Sequence, residues 1–212
     1  MSVSIHPKVP FNENDVVQRL REGDEAAFTH LVETYHGPLI RFALLFVGDR
    51  SVAEEVVQDT WMAVLSGLDT FEGRSALKSW IFSILANRAK TRGVREKRTV
   101  AFSDLAPADP DGPAVDPDRF ASSGGWLAPP TRWDHNTPES QLLHAETLAV
   151  AKQALEALPP NQRAVVTLRD VEGLEAAEVC NVLDVSETNQ RVLLHRGRAK
   201  VRAALERHIS KR

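Results

Sequence analysis

The sequence predicts an all-α protein: two small helical domains joined by a long Pro/Asp-rich linker, the second domain containing a helix-turn-helix. Three observations carry this expectation. Apolar residues recur at helical spacing through two blocks, about Asp15 to Arg98 and about Pro138 to His208. No stretch alternates with period two for long enough to make a strand. Between the blocks, residues 99–138 hold seven of the twelve prolines, an Asp series at 104, 109, 111, 116 and 118, and Gly124-Gly125. The expected division is residues 1–12 as a flexible N-terminus, 13–98 as the first domain, 99–138 as the linker and 139–212 as the second domain.

In the first block, Val16, Val17 and Leu20 begin a helical pattern, and Asp24-Glu25 restarts it after Gly23, with Phe28, Leu31, Val32 and Tyr35 on one face. Gly37-Pro38 is expected to break the chain ahead of the apolar run Leu39 to Val47. Ser51 with Glu54 three residues later fits a capping box, opening a helix through Leu65. Its apolar side is Val52, Val56, Val57, Trp61, Val64 and Leu65; its other side shows Glu54, Glu55, Gln58 and Asp59. After Gly73, Ser75 is placed to cap a long helix from Ala76 to about Lys97, with Trp80, Ile81, Ile84 and Leu85 as its apolar stripe.

The linker carries Phe102, Phe120, Trp126 and Trp133, and four large aromatics in a tether suggest that part of it docks on this protein or on a partner. In the second block, helices are expected over Leu142–Leu158, ended by Pro159-Pro160, over Gln162–Val171, closed by Gly173, and over Leu174–Leu183. Ser186 then caps a last helix to about Leu205. A short helix, a tight turn and a capped basic helix make a helix-turn-helix, with Val179, Cys180, Leu183, Val185, Leu194, Gly197 and Val201 as the seam and Gly197 as the point of close approach. Ser186, Thr188, Arg191, His195, Arg196 and Arg198 fall largely on the outer face.

The net charge is −3, but it is unevenly spread. Residues 74–100 hold eight Lys/Arg against one acidic residue, and 186–212 hold eight against two. The rest of the chain keeps ten basic and 26 acidic residues, a balance of −16. Two basic patches on an acidic body fit two sites for a polyanion, or two solvated basic helices. The single cysteine, Cys180, excludes an intramolecular disulfide and a cysteine-based zinc cage. No apolar run approaches the ~20 residues of a membrane span, and Met1 to Pro10 lack the order of a signal peptide, so a cytoplasmic protein without membrane insertion is expected.

Four segments together resemble a known family. Phe71-Glu72-Gly73-Arg74-Ser75-Ala76-Leu77-Lys78-Ser79-Trp80-Ile81 and its continuation to Arg88 resemble the promoter-melting segment of extracytoplasmic function (ECF) sigma factors, a branch of the sigma-70 family. Ala53-Glu54-Glu55-Val56-Val57-Gln58-Asp59-Thr60-Trp61 is similar to their polymerase-binding helix. Leu158-Pro159-Pro160-Asn161-Gln162-Arg163 and Val185 to Arg198 resemble their second DNA-binding domain. The order is the family's, with a linker where one is expected.

The resemblance implies that residues 13–98 form sigma region 2, which binds core RNA polymerase and reads and melts the −10 element, and that 139–212 form region 4, which reads the −35 element. Glu54, Glu55, Gln58 and Asp59 would meet a coiled coil of the largest polymerase subunit, their acidic face suiting arginines of a partner helix. Melting requires a loop that walls a base pocket and a basic track for phosphates. Phe71 and Arg74 lie in such a loop, and Lys78, Asn87, Arg88, Lys90, Arg92 and Arg95 line the helix after it; Trp80 is expected in the core. Ser186, Thr188, Arg191, His195, Arg196 and Arg198 would face the −35 duplex, with Arg191 and Arg196 as guanine readers or phosphate clamps. Two departures stand out. Arg191-Val192-Leu193 replaces the family's lysine-serine-arginine type run, and Glu175 opens the preceding helix where Ser or Thr is usual. Such factors are often restrained by an anti-sigma protein, though no residue here identifies one.

No catalytic constellation appears, so an enzyme is not expected. His36, His144, His195 and His208 are scattered without metal-ligand spacing, and there is neither a nucleophile elbow nor a phosphate-binding glycine loop, so neither metal nor cofactor is expected. The alternative is a helix-turn-helix regulator that binds duplex DNA without core polymerase. The acidic helix and the Phe71–Arg98 segment speak against it.

Overall fold

The computed structural model describes residues 13–95 and 138–209, with side chains over 15–93 and 146–209. Every regular element among the described residues is helical. The first set is α1 (Glu13–Arg21), α2 (Glu25–Val47), α3 (Arg50–Gly67), a 3₁₀ turn (Leu68–Thr70) and α4 (Leu77–Arg95). The second is α5 (Pro138–Glu156), α6 (Pro160–Val166), a π-helical turn (Thr167–Val171), α7 (Ala176–Leu183) and α8 (Glu187–Ile209). The expected linker, Phe102, Phe120, Trp126 and Trp133 included, lies outside the described residues apart from Pro138, which opens α5.

The described residues divide into two compact units, 13–95 with 177–184 and 138–176 with 185–209, so all of α7 but Ala176 belongs with the first. In the first unit α2, α3 and α4 pack on one another. Their shared core is Leu39, Phe42, Ala43, Val47, Val57, Val64, Ile81, Phe82 and Leu85, all but fully buried. Phe42 meets Phe46 and Phe82 edge-on, at ring-centroid distances of 5.3 and 5.5 Å. In the second unit α8 packs on α5 and α6.

The expected break at Gly37-Pro38 does not occur: α2 runs through both residues. An internal proline costs about 3 kcal/mol. Burying one large apolar side chain returns roughly 1.5–3 kcal/mol, and the helix beyond Pro38 buries Leu39, Ile40, Phe42, Phe46 and Val47. Burial outweighs the proline.

The cap of α3 also differs from the expected one. The N-cap is Asp49, whose carboxylate accepts from the backbone N–H groups of Ser51 and Val52 and from Ser51 Oγ, at 2.9, 3.3 and 2.6 Å. A charged acceptor two residues earlier displaces Ser51, whose hydroxyl becomes a donor to it. Asp24 caps α2 in the same way, accepting from Ala26 and Ala27. Arg19 donates to Asp24, and these bonds hold its carboxyl below the ordinary 3.8. Gly48, at φ +71, closes α2 in a left-handed conformation that costs glycine nothing.

Gly197 is a point of close approach, but to α6 rather than to the preceding helix of the hairpin. A Cβ there would stand 2.6 Å from Val166 Cγ2 and 3.5 Å from Gln162 O. Ser186 does cap α8, its hydroxyl accepting from Asn189 N–H at 3.2 Å. The turn before it passes through Asp184 at φ 59, a region Asp reaches more readily than most residues.

Candidate polymerase and nucleic-acid interfaces

The first candidate surface is the outer face of α3. Its inner face buries Ala53, Val56, Val57, Thr60, Trp61 and Val64, which leaves Glu54, Glu55, Gln58 and Asp59 exposed, followed by the exposed apolar side chains of Met62 and Leu65. Three of these carboxylates already hold cations. Arg50 Nε donates to Glu54 at 2.9 Å, and Arg92 Nη2 donates to Glu55 at 2.8 Å. Arg88 Nη1 lies 3.9 Å from Asp59. Two arginines expected to track DNA thus pair with two carboxylates expected to bind polymerase. The sequence could not reveal this, since both of these pairs join different helices.

The second surface is the loop between α3 and α4. Phe71 ends the 3₁₀ turn, its N–H donating to Leu68 O at 3.2 Å, and Gly73 turns the chain at φ +70. Trp80 is half-buried rather than part of the core. Its ring lies 4.8 Å from that of Phe71, tilted by 43°, and a Cβ on Gly67 would come within 3.1 Å of it. The loop therefore has an aromatic wall of two rings. Arg74 pairs with Glu72 at 3.0 Å, both well exposed. Arg21, which no sequence pattern singled out, reaches this loop from α1, its Nε donating to Leu68 O at 3.0 Å and its Nη2 to Phe71 O at 2.5 Å.

The basic residues of α4 do not form one uniform track. Asn87 and Arg88 are exposed. Lys78 is half-buried, its Nζ 5.9 Å from the Tyr35 ring centre and 5.8 Å from that of Phe82, within cation–π range. Lys90 is half-buried in the first unit and donates to Leu183 O at 2.7 Å; burial holds its ammonium below the usual lysine range. Ser79 Oγ donates to Glu178 in the same unit at 2.6 Å. Arg95 belongs to α4 by its backbone, but its side chain lies outside the described residues.

The third surface is the outer face of α8. Gln190, Leu193 and Gly197 are buried against the unit, so Thr188, Arg191, His195 and Arg198 lie on the opposite, exposed side. Arg202, not singled out from the sequence, continues that exposed stripe four residues on. Ser186 is exposed at the cap, and Arg196 is half-buried. Arg191 pairs with Glu187 one turn away at 3.2 Å. Arg198 is held by both oxygens of Asp170, at 2.8 and 2.5 Å, which raises the guanidinium above its ordinary range. The π-helical turn that supplies Asp170 also supplies Arg169, which donates to Leu174 O and lies 3.6 Å from the exposed Glu175 carboxylate.

Among the described residues no group of His, Cys, Asp and Glu is arranged to hold a metal ion, and no helix is long and apolar enough to cross a membrane.

Comparison with known proteins agrees with this architecture. Residues 31–99 match the model of sigma-70 region 2, and residues 149–201 match that of sigma-70 region 4. The chain is similar to the RNA polymerase sigma-H factor of Pseudomonas aeruginosa, with 28% identity over 92% of this chain and 94% of the relative. It is similar to the ECF RNA polymerase sigma-E factor of Escherichia coli K12, with 28% identity over 88% of this chain and 90% of the relative. Two solved structures share the fold. One is CnrH in complex with the cytosolic domain of CnrY, with a TM-score of 0.53, 21% identity, and coverage of 92% of this chain and 97% of that one. The other is RpoE in complex with the anti-sigma factor NepR from Bartonella quintana, with a TM-score of 0.53, 22% identity, and coverage of 84% and 96%. Matched in both regions, in order, this chain belongs to the sigma-70 family, and its similarity to an ECF sigma-E factor sets it among the ECF sigma factors.

Proposed function

We propose that the chain directs core RNA polymerase to promoters through a division of labour among these three surfaces. The outer face of α3 takes a basic partner helix on core polymerase. The loop around Phe71, with α4, holds the opened −10 strand. The exposed stripe of α8 reads the −35 duplex. The single observation that carries the reading is the joint presence of both sigma-70 regions, with an exposed carboxylate face on the helix that precedes the aromatic-walled loop.

Each surface has a chemistry suited to its task. Carboxylates on a rigid helix form charge-assisted bonds with arginines. Phe71 offers a π-face for an unstacked base, and Asn87 and Arg88 offer donors to the strand. Arg191, with one exposed partner on its own helix, can exchange that partner for a base edge or a phosphate. Arg198, chelated by Asp170, acts first as a strut between α8 and the π-helical turn. Glu175 places a carboxylate where a helix start would approach a phosphate, and Arg169 offsets part of that charge. The NepR complex of the structural neighbour also motivates an anti-sigma partner for this chain.

The test is affinity for core polymerase against affinity for duplex DNA. A sigma factor binds core without DNA, and its sequence preference on DNA sharpens once core is present. A regulator acting alone would bind its duplex equally well with or without core and would show no core affinity.

A further inference from the structure

The loop that walls the candidate −10 pocket is fastened at its root by a residue from outside regions 2 and 4 as matched. Arg21 is the last residue of α1, whose apolar face, Val16, Val17 and Leu20, is buried. Its guanidinium bonds two carbonyls three residues apart, Leu68 O at 3.0 Å and Phe71 O at 2.5 Å. These carbonyls bracket the 3₁₀ turn that leads into the loop. Leu68 is buried and also accepts the Phe71 N–H, so one end of the turn is anchored in the core. The other end is Phe71, whose ring lies on Trp80. A planar fork with two fixed N–H groups can span both acceptors, whereas an ammonium is a point charge that satisfies one such arrangement at a time.

We infer that Arg21 is a positioning residue for −10 recognition: it fixes the Phe71 carbonyl, and through it the Phe71 ring, in the place where an extruded base is read. This rests on the proposed role of the loop and adds to it the part that holds the loop's shape. Arg21 itself need not touch DNA. Its Nε and Nη2 donors are taken up by two backbone carbonyls.

The experiment uses the full chain assembled with core polymerase. The probe is a single-stranded pool, randomised over six positions between constant flanks, bound to holoenzyme and sequenced. Four chains are compared: unaltered, Arg21→Ala, Arg21→Lys and Phe71→Ala. For Arg21→Ala the expected result is an about tenfold loss of affinity for the preferred strand, the worth of one charge-assisted hydrogen bond. Base preference should flatten at the one position that the Phe71→Ala chain also flattens. Affinity for core should stay within about twofold, the scatter expected of a remote surface change. Arg21→Lys should recover less than half of the loss, because charge alone does not bridge two carbonyls.

Full rescue by lysine would overturn the inference, since it would make Arg21 a phosphate contact. A loss spread evenly over all strands with unchanged base preference would overturn it too, as would an equal fall in core affinity and thermal stability. If Phe71→Ala alters base preference and Arg21→Ala does not, Arg21 loses its role while the loop keeps its own. If neither variant changes strand binding, the assignment of the loop itself fails.

Discussion

Neutralising Glu55 and Asp59 together, as Glu55→Gln with Asp59→Asn, should uncouple the chain from polymerase at little cost to its fold. The isosteric change is preferable to charge reversal, because a basic residue at either position would face Arg92 or Arg88 directly. The stability cost can be worked from the two ion pairs removed. Glu55 and Arg92 are 61% and 42% exposed and meet at 2.8 Å; Asp59 and Arg88 are 71% and 42% exposed and meet at 3.9 Å. Exposed pairs contribute about 0.2–1 kcal/mol each, so the double change should cost roughly 0.5–2 kcal/mol. That corresponds to a fall of about 1–8 °C in Tm for a chain of this size. The binding cost is larger. Removing one partner of a desolvated interfacial charge pair costs about 2–5 kcal/mol, so disrupting even one such pair raises the Kd for core at least about thirtyfold.

A second consequence has the opposite sign. Without the Asp59 carboxylate, Arg88 is released to phosphate, so the isolated chain should bind single-stranded DNA more tightly, with a steeper salt dependence. The assay is competition between labelled and unlabelled chain for core polymerase, with thermal unfolding and a DNA titration on the same preparations. Glu33→Gln, an exposed carboxylate on α2, provides the blank. A folded double variant whose core affinity lies within twofold of the unaltered chain would show that these carboxylates do not hold polymerase.

Further outcomes follow from single features. Gly197→Ala puts a methyl group 2.6 Å from Val166 Cγ2, a stiff β-branched neighbour; overpacking of about 1–3 kcal/mol against a helix-propensity gain of about 1 kcal/mol should lower stability by about 1 kcal/mol, and a rise in Tm would show that Val166 moves aside. Arg191→Ala should relax preference at one −35 position by ~1–3 kcal/mol in a duplex titration, whereas Arg198→Ala should lower Tm and be matched in this by Asp170→Asn; equal loss of base preference in both arginine variants would contradict the split. Asp24 has a folded pKa held below 3.8 by Arg19 and the Ala26 and Ala27 N–H groups, so its stabilisation is present above that value and is lost as pH falls through the folded pKa. Asp24→Asn should therefore flatten the acid limb of the stability profile below about pH 4, and an unchanged limb would show that the ion pair contributes nothing.

Much of what acts along one helix is legible in the sequence, although the cap of α3 is Asp49 and not the expected Ser51. The period of Val56, Val57, Trp61 and Val64 separates the buried side of α3 from its acidic side, and the Ser186 cap fixes the start of α8. Interactions between segments far apart in sequence are not legible. Arg21 and Phe71 are 50 residues apart, and Arg92 and Glu55 are 37 apart. The proline rule fails at Pro38 because core burial outweighs a local cost. Gly197 is legible as a small residue at a seam, but which helix it meets depends on tertiary packing, and α6 takes that place. Trp80 shares a helical stripe with Leu85, yet its ring serves the loop wall beside Phe71 because Gly67 leaves room for it there.

The central claim, that this chain gives core polymerase its promoters, is tested most directly by run-off transcription. Core polymerase is incubated with genomic fragments, with and without the chain, and transcript starts are mapped. Discrete starts are expected that require the chain, share one element near −35 and another near −10, and are lost with Glu55→Gln/Asp59→Asn at limiting concentration. Transcripts that start at the same places without the chain, or a chain that binds duplex DNA yet supports no start, would contradict the claim.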